Sequence, residues 1–323
     1  MPTAAIIGAG QLGSRHLQAL KAVKTPLDIH VVEPREESAK VARERFDAVA
    51  AAAPHRIAFA ASPAGLPPVD IAIVATNSDR RAEAVRALLG ATRVRLLVLE
   101  KLLFDRRADY AAIAELIAAK GTRAWVNCTM GMVPAYERIR AALGPGPVDY
   151  RVTGSASSLA LVTNAIHYLA HVVHLTGCES FAVDTAGLDP ETIASKRAGF
   201  RELTGTLAAR FADGSRCIVT SYPAGTAPVA VEISNGRSRA IVRESEGRAW
   251  QSVEAGEWKW QDVEAPIPFQ SVLTTWLVDD LLARGDCALA PFATSVGTHL
   301  QLLDPLLAFV RERAPETATY PFT

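Results

Sequence analysis

The chain has 323 residues, 49% of them hydrophobic and 21% charged, a globular balance that excludes wholesale disorder and, at this length, gives room for about two domains. Thirty-four Lys and Arg against 34 Asp and Glu give a formal net charge of zero, so neither nucleic acid nor a membrane is expected as a partner, since both select for basic excess. The four cysteines (Cys128, Cys178, Cys217 and Cys287) are far apart and form no CxxC pair, which points away from a zinc ribbon or a disulfide framework and towards a reducing, cytoplasmic location.

No apolar run reaches the ~18 residues of a membrane span. Met1-Pro2-Thr3 lacks the basic start of a signal peptide and reads as part of the fold. The first third then alternates strand and helix signals. Residues 3–8, 28–33, 56–60, 69–76, 93–100 and 122–128 are apolar strand candidates, and 12–23, 36–46, 80–89 and 109–120 carry helical periodicity between them. Near-continuous apolar strands alternating with helices predict a parallel sheet covered on both faces.

The pattern changes at Gly144-Pro145-Gly146-Pro147. A strand at 148–154, an apolar helix at 161–175 and alternating strands at 207–211, 217–222, 229–233, 240–243 and 250–253 follow. The stretches ADGS, SNGR and EAGE between them are hairpin turns, so this sheet is expected to be antiparallel. Helices at 271–284 and 294–313 close the chain. The expected architecture is a doubly wound α/β Rossmann domain at residues 1–127, then an α+β domain with an open, mostly antiparallel sheet at 128–323. The tryptophans Trp250, Trp258 and Trp260 suit sheet packing or a homodimer or homotetramer surface on that sheet.

Gly8-Ala9-Gly10-Gln11-Leu12-Gly13 fits G-x-G-x-x-G between the first strand and the first helix. Glycines there let the backbone approach a pyrophosphate, and the helix N-terminus presents N–H groups to it. Glu33 closes the second strand, about twenty residues on, where a carboxylate accepts from the adenosine ribose and repels a 2′-phosphate. This predicts NAD, with NADP possible because Arg35 follows two residues later.

Glu100-Lys101 ends the fifth strand, and in open parallel sheets ligands bind beyond the carboxyl ends of strands. Lys101 is therefore a candidate for holding a substrate hydroxyl and moving its proton. The helix 163–174 is apolar except for a stripe of Asn164, His167, His171 and His174, which lie within about 80° of one another. Histidine titrates near neutrality and suits proton transfer from an alcohol as hydride leaves. His167 and His171, at i and i+4, also have metal-pair spacing. With no carboxylate on that face and no HExxH in the sequence, no metal is expected.

Taken in order, the glycine loop, Glu33, Ala75-Thr76-Asn77, Glu100-Lys101 and the Asn164-x-x-His167 helix resemble the glucose–fructose oxidoreductase / inositol dehydrogenase / MocA (Gfo/Idh/MocA) family of NAD(P)-dependent sugar and cyclitol dehydrogenases. The resemblance covers essentially the whole chain. It implies cofactor contacts from Gly8, Gly10, Gln11, Leu12, Gly13, Glu33, Arg35, Thr76, Asn77, Glu100 and Lys101. It further implies that Lys101 touches cofactor and substrate, and that His167 is the catalytic histidine. The family's Pro after the Glu-Lys pair is Leu102 here, and its helix acids fall at Thr163 and Ala170, so the acid–base machinery is altered. Trp125-Val126-Asn127-Cys128 and Ser195-Lys196-Arg197-Ala198-Gly199-Phe200 resemble a branch often associated with bacterial surface-polysaccharide genes. That likeness implies substrate contacts from Asn127, Lys196 and Arg197, besides Asn164 and His171.

The leading expectation is hydride transfer between nicotinamide and a sugar, a sugar derivative (nucleotide-linked ones included) or a cyclitol. A biliverdin- or imine-type reductase on the same architecture is one alternative. A non-catalytic NAD-binding regulator or assembly subunit is the other, supported by the missing helix acids.

Overall fold

β1 (Thr3–Ile7) is buried at four of its five positions and pairs in parallel with β2 (Asp28–Val32) and β4 (Val69–Val74). β3 (Arg56–Ala60) extends the sheet beyond β2, and β5 (Val94–Leu99) and β6 (Arg123–Val126) extend it beyond β4, all in parallel. The crossovers carry α1 (Gly13–Leu20), α2 (Glu36–Asp47), α3 (Ser78–Ala91) and α4 (Arg107–Ala119). The sheet order β3-β2-β1-β4-β5-β6 reverses direction at β1 and β4, a doubly wound Rossmann arrangement whose ligands bind beyond the strands' carboxyl ends.

The computed structural model describes all residues from 1 to 323, and these form two compact units. The first is Met1–Asn127 with Pro268–Ala293, and the second is Cys128–Ile267 with Thr294–Thr323. The sequence reading, which gave 128–323 to the second domain, is corrected for Pro268–Ala293. Along this segment runs the helix α7 (Gln270–Arg284), whose apolar stripe Leu273, Leu277, Val278 and Leu281 is buried. It packs on α1, with Thr275 Oγ1 donating to the Ala19 carbonyl at 3.0 Å. The short strand Ala290–Pro291 adds an antiparallel edge to β6. Periodicity identifies such a helix but not the core it joins.

In the second unit, α5 (Pro134–Leu143) and β7 (Asp149–Ser155) precede α6 (Leu161–Thr176), which ends on the left-handed Gly177, φ 75°. β8 (Phe181–Asp184), a small hairpin of β9 (Ile193–Ala194) with β10 (Arg201–Glu202), β11 (Gly205–Phe211), β12 (Arg216–Tyr222), β13 (Ala230–Ser234), β14 (Ser238–Arg243), β15 (Arg248–Val253) and β16 (Gln261–Glu264) follow. Next in chain order come α7 (Gln270–Arg284) and β17 (Ala290–Pro291) of the first unit, then α8 (Phe292–Arg311). The eight-stranded sheet has the order β16-β15-β14-β13-β7-β12-β11-β8. It is antiparallel except for β7 with β12, a parallel pair whose crossover contains α6, as parallel pairing requires. The turns at 212–215, 234–237 and 254–257 join β11–β12, β13–β14 and β15–β16. Leu207, Ala209, Cys217, Val219, Val231, Ile233, Ala240 and Val242 are buried, while Arg210, Glu232, Arg239 and Trp250 are exposed, the alternation of a sheet with one covered face. No helix is long and apolar enough to cross a membrane.

Candidate functional site

The glycine loop sits at the carboxyl end of β1 and leads into the N-terminus of α1. Its three glycines have different reasons. Gly8 has φ +84°, and a side chain there would meet Thr76 Cγ2 at 2.8 Å. A Cβ on Gly13 would lie 1.8 Å from the Gly8 carbonyl oxygen. Around Gly10 only Arg35 Nη2 comes near, 3.6 Å from the position a Cβ would take. Gly8 and Gly13 therefore shape the turn, and Gly10 keeps open the space a side chain would fill. Gln11 is held by Arg45 of α2, which donates to its carbonyl at 3.2 Å and its Oε1 at 3.0 Å. Leu12 is the N-cap residue of α1, and the N–H groups of Ser14, Arg15 and His16 already donate to the carbonyls of Gly10 and Leu12. These features fit the pyrophosphate of a dinucleotide, with the loop backbone and Gly10 forming the cradle.

Glu33 is buried, and its carboxylate turns into the loop. Oε2 accepts the Ala9 N–H at 2.8 Å, and Oε1 accepts the Arg35 N–H at 3.1 Å and Nε at 3.2 Å. The Arg35 side chain is 70% exposed. At the carboxyl end of β4, Thr76 Oγ1 is buried without a hydrogen-bond partner, and Asn77 is the N-cap residue of α3. Arg81 is fully buried; it donates to the carbonyls of Thr76, Leu102 and Leu103, the last at 2.8 Å. It thereby ties the end of β4 to the segment after Lys101. The sequence reading missed Arg81, although it falls in the stripe Ser78, Arg81, Ala82, Val85, Leu88, Leu89 that α3 buries.

Glu100 and Lys101 follow β5; Glu100 is buried and Lys101 half-buried. Glu100 Oε1 accepts from His16 Nε2 at 2.9 Å and Asn127 Nδ2 at 2.5 Å. Burial pushes the Glu100 carboxyl up, but the hydrogen bond and charge of His16, with Lys101 and Arg81 nearby, outweigh it and hold the group below its ordinary value. Asn127 also donates to Gln270 Oε1 at 3.1 Å, Gln270 Nε2 donates to Thr274 Oγ1 at 2.9 Å, and Thr274 Oγ1 lies 2.8 Å from His16 Nδ1. Asn127, expected as a substrate contact, is thus an interior hydrogen-bond donor, 2% exposed. The sequence reading missed His16, although it shares the buried stripe of α1 with Leu17 and Leu20.

On α6 the stripe divides. Asn164 and His167 are half-exposed, on a face with Thr163, Ala170 and His174. His171 is 1% exposed. Its Nδ1 is 2.9 Å from Tyr150 OH, and its ring meets that of Tyr136 edge-on with centroids 4.7 Å apart. Burial, with His174 next to it, lowers its pKa to about 3, so it is a neutral core histidine rather than the expected substrate contact. His174 Nε2 pairs with Glu137 Oε1 of α5 at 2.6 Å, a carboxylate from another element that reading α6 alone did not reveal. Glu202 of β10, also missed, accepts from the N–H groups of Val162 at 2.8 Å and Thr163 at 3.1 Å, and from the Thr163 hydroxyl. A carboxylate therefore stands beside Thr163, where the helix itself has none. Lys196 is exposed and donates to the Ser157 carbonyl at 3.2 Å, and Arg197 is half-exposed in the same loop.

Residues 3–128 match the family model described as "Oxidoreductase family, NAD-binding Rossmann fold" (GFO_IDH_MocA). No curated protein matches the sequence. Among solved structures, the UDP-N-acetylglucosamine 3-dehydrogenase GnnA from Acidithiobacillus ferrooxidans superposes with a TM-score of 0.70 at 15% identity, over 95% of this chain and 97% of that one. An oxidoreductase from Agrobacterium radiobacter, crystallised with NAD+, L-tartaric acid and magnesium, gives 0.71 at 16% identity over 97% of both chains. The transcriptional regulator Gal80p from Kluyveromyces lactis gives 0.68 at 12% identity, over 96% of this chain and 93% of that one. At these identities the three show a shared fold. Residues 3–128 are thus similar to the NAD-binding Rossmann domain of the Gfo/Idh/MocA oxidoreductase family.

Proposed function

We propose that the protein is an NAD-dependent dehydrogenase or reductase acting on a CH–OH or C=O group of a sugar, a nucleotide-linked sugar or a cyclitol. The observation that carries this reading is the pairing of a dinucleotide cradle around Gly10 with Lys101 at the carboxyl end of the neighbouring Rossmann strands. Bound NAD(H) supplies the hydride chemistry. Lys101 holds the substrate oxygen and lends or takes its proton. His167, on the accessible face of α6, is the second proton-handling group, and Asn164, three residues before it, orients hydroxyl groups. Lys196 and Arg197 offer cations to an anionic part of the substrate, such as a diphosphate. Glu33 favours NAD over NADP. The fold shared with a UDP-N-acetylglucosamine 3-dehydrogenase favours a nucleotide-linked sugar within this class. The open sheet face bearing Trp250 and Trp260 suits a homo-oligomer.

A second reading, an NAD-binding regulator without turnover, is favoured by Thr163 and Ala170 in place of helix acids and by a fold shared with a transcriptional regulator. One experiment separates them. NADH oxidation and NAD reduction are followed with a panel of hexoses, nucleotide sugars and cyclitols, beside a direct measurement of NADH binding. Turnover with any of these supports the enzyme. NADH binding with no turnover across the panel in either direction supports the regulator.

A further inference from the structure

The polar ring around Glu100 is closed, and its donors have a direction. Glu100 Oε1 is an acceptor, so Asn127 must present its Nδ2 to it, and the second Nδ2 hydrogen goes to Gln270 Oε1. That fixes the Gln270 amide, whose Nε2 then donates to Thr274 Oγ1. His16 Nε2 donates to the Glu100 carboxylate, and its Nδ1 is bonded to the Thr274 hydroxyl at 2.8 Å. Asn127 donates twice, so Glu100 Oε1 is reached both directly and along the arm through Gln270, Thr274 and His16. Asn127 spends both amide hydrogens on the ring, while its Oδ1 is buried without a partner; a residue kept for its donors has that signature. The ring also joins two distant points of the chain. Asn127 is the last residue of the first segment of this unit, and Gln270 is the third residue of the segment that returns to it.

We infer that His16, Asn127, Gln270 and Thr274 are positioning residues for Lys101: by fixing the Glu100 carboxylate they set the direction and the charge surroundings of the lysine beside it. The inference rests on the reading of Lys101 as a proton-handling group, but its test does not need turnover. Neither Thr274 nor Gln270 touches Glu100 itself; each reaches it only along the ring, by way of His16 or Asn127. Neither has a reason to alter Lys101 unless the ring transmits the change.

The experiment is competitive acetylation of the full chain with acetic anhydride across a range of pH, read by mass spectrometry at each lysine. Lys196 and Lys259 serve as exposed internal references. Thr274→Val removes the hydroxyl at constant shape, Gln270→Leu removes the amide at the half-exposed end of the ring, and Thr274→Ser restores the hydroxyl. The expected result is a change of about threefold to tenfold in the Lys101 rate, or a shift of its pH midpoint, in Thr274→Val and Gln270→Leu, the scale on which a remote contact tunes a site. The references stay unchanged and Thr274→Ser behaves as the parent does. Gln270→Leu alone carries the test if Thr274→Val does not fold. Lys101 labelling identical to the parent in a folded variant overturns the inference, and a change spread equally over all lysines overturns it as well, because that reports general loosening. Absence of turnover with every substrate would sink the proposed function and leave this readout intact.

Discussion

His16 Nε2 and Glu100 Oε1 are 2.9 Å apart, and both side chains are buried. The Glu100 carboxyl is held below its ordinary value of 4.5, so folding favours its ionised form. The sign follows from linkage: the stability it contributes is present above that value and is lost as pH falls through the lower, folded-state value. Removing the imidazole leaves burial as the dominant influence, which raises the carboxyl instead. His16→Phe should therefore cost about 3 to 5 kcal/mol near neutrality, as breaking a buried pair does, and should weaken or reverse the acid loss attributable to Glu100. Thermal midpoints of both proteins across acidic and neutral pH check this; parallel curves would contradict it.

The glycine loop separates folding from binding. Gly13→Ala places a Cβ 1.8 Å from the Gly8 carbonyl, so the backbone must move and both the thermal midpoint and NADH affinity should fall. Gly10→Ala meets only the end of the flexible Arg35 side chain at 3.6 Å. It should keep the parent's thermal midpoint while losing about tenfold or more in NADH affinity, roughly 1.4 kcal/mol. Calorimetric unfolding and fluorescence titration of the same preparations give both numbers. Full NADH affinity in Gly10→Ala would show that the pyrophosphate does not sit there.

His171 predicts a pH effect located in the second unit. Its pKa is lowered from 6.5 to about 3 by burial. A histidine that folding keeps neutral gives stability that is full above its unfolded value and declines as pH falls from about 6.5 towards the folded value. His171→Phe keeps a ring against Tyr136 while removing the titration. Its stability should fall less steeply over that range, and its turnover should stay near the parent's. A His171 proton resonance that titrates near neutrality would contradict the burial argument.

Cofactor choice rests on Glu33 and Arg35. NADH should bind more tightly than NADPH, because the carboxylate opposes a 2′-phosphate. Glu33 is also neutralised in part by Arg35, with Nε at 3.2 Å, so Glu33→Ala should narrow the gap by freeing the arginine. Fluorescence titration of both nucleotides against parent and variant decides it. Tighter NADPH binding by the parent would mean that the exposed guanidinium dominates.

Local patterns carried most of the fold. The G-x-G-x-x-G turn, the apolar strands before β6 and the turn stretches between β11 and β16 depend on residues close in sequence, and each became the expected element. The misses were non-local. The strands β8, β9, β10, β16 and β17 are two to four residues long, too short for periodicity to register. The return of α7 to the first unit depends on what its apolar stripe packs against, which spacing does not encode. In the site, the polar stripe of α6 was visible, but its division was not. His171 is buried because Tyr136 and Tyr150 converge on it from other elements. Glu202 and Glu137 reach α6 from 39 and 37 residues away. Asn127 was noticed through its neighbours Trp125 and Cys128, and its bonds to Glu100 and Gln270 give it a different role.

The most direct test of the account is the steady-state kcat/KM of Lys101→Ala and His167→Ala with the best substrate found in the panel, measured beside their NADH affinities. Losing a proton-transfer group typically costs ~10² to 10⁴ in rate. Each variant should show a loss of that order. NADH affinity, set by the glycine loop and Glu33, should stay within several-fold of the parent's. Near-parent kcat/KM in either variant, or a collapse of NADH affinity that accounts for the whole loss, would contradict the claim that Lys101 and His167 handle the proton of a hydride-transfer reaction.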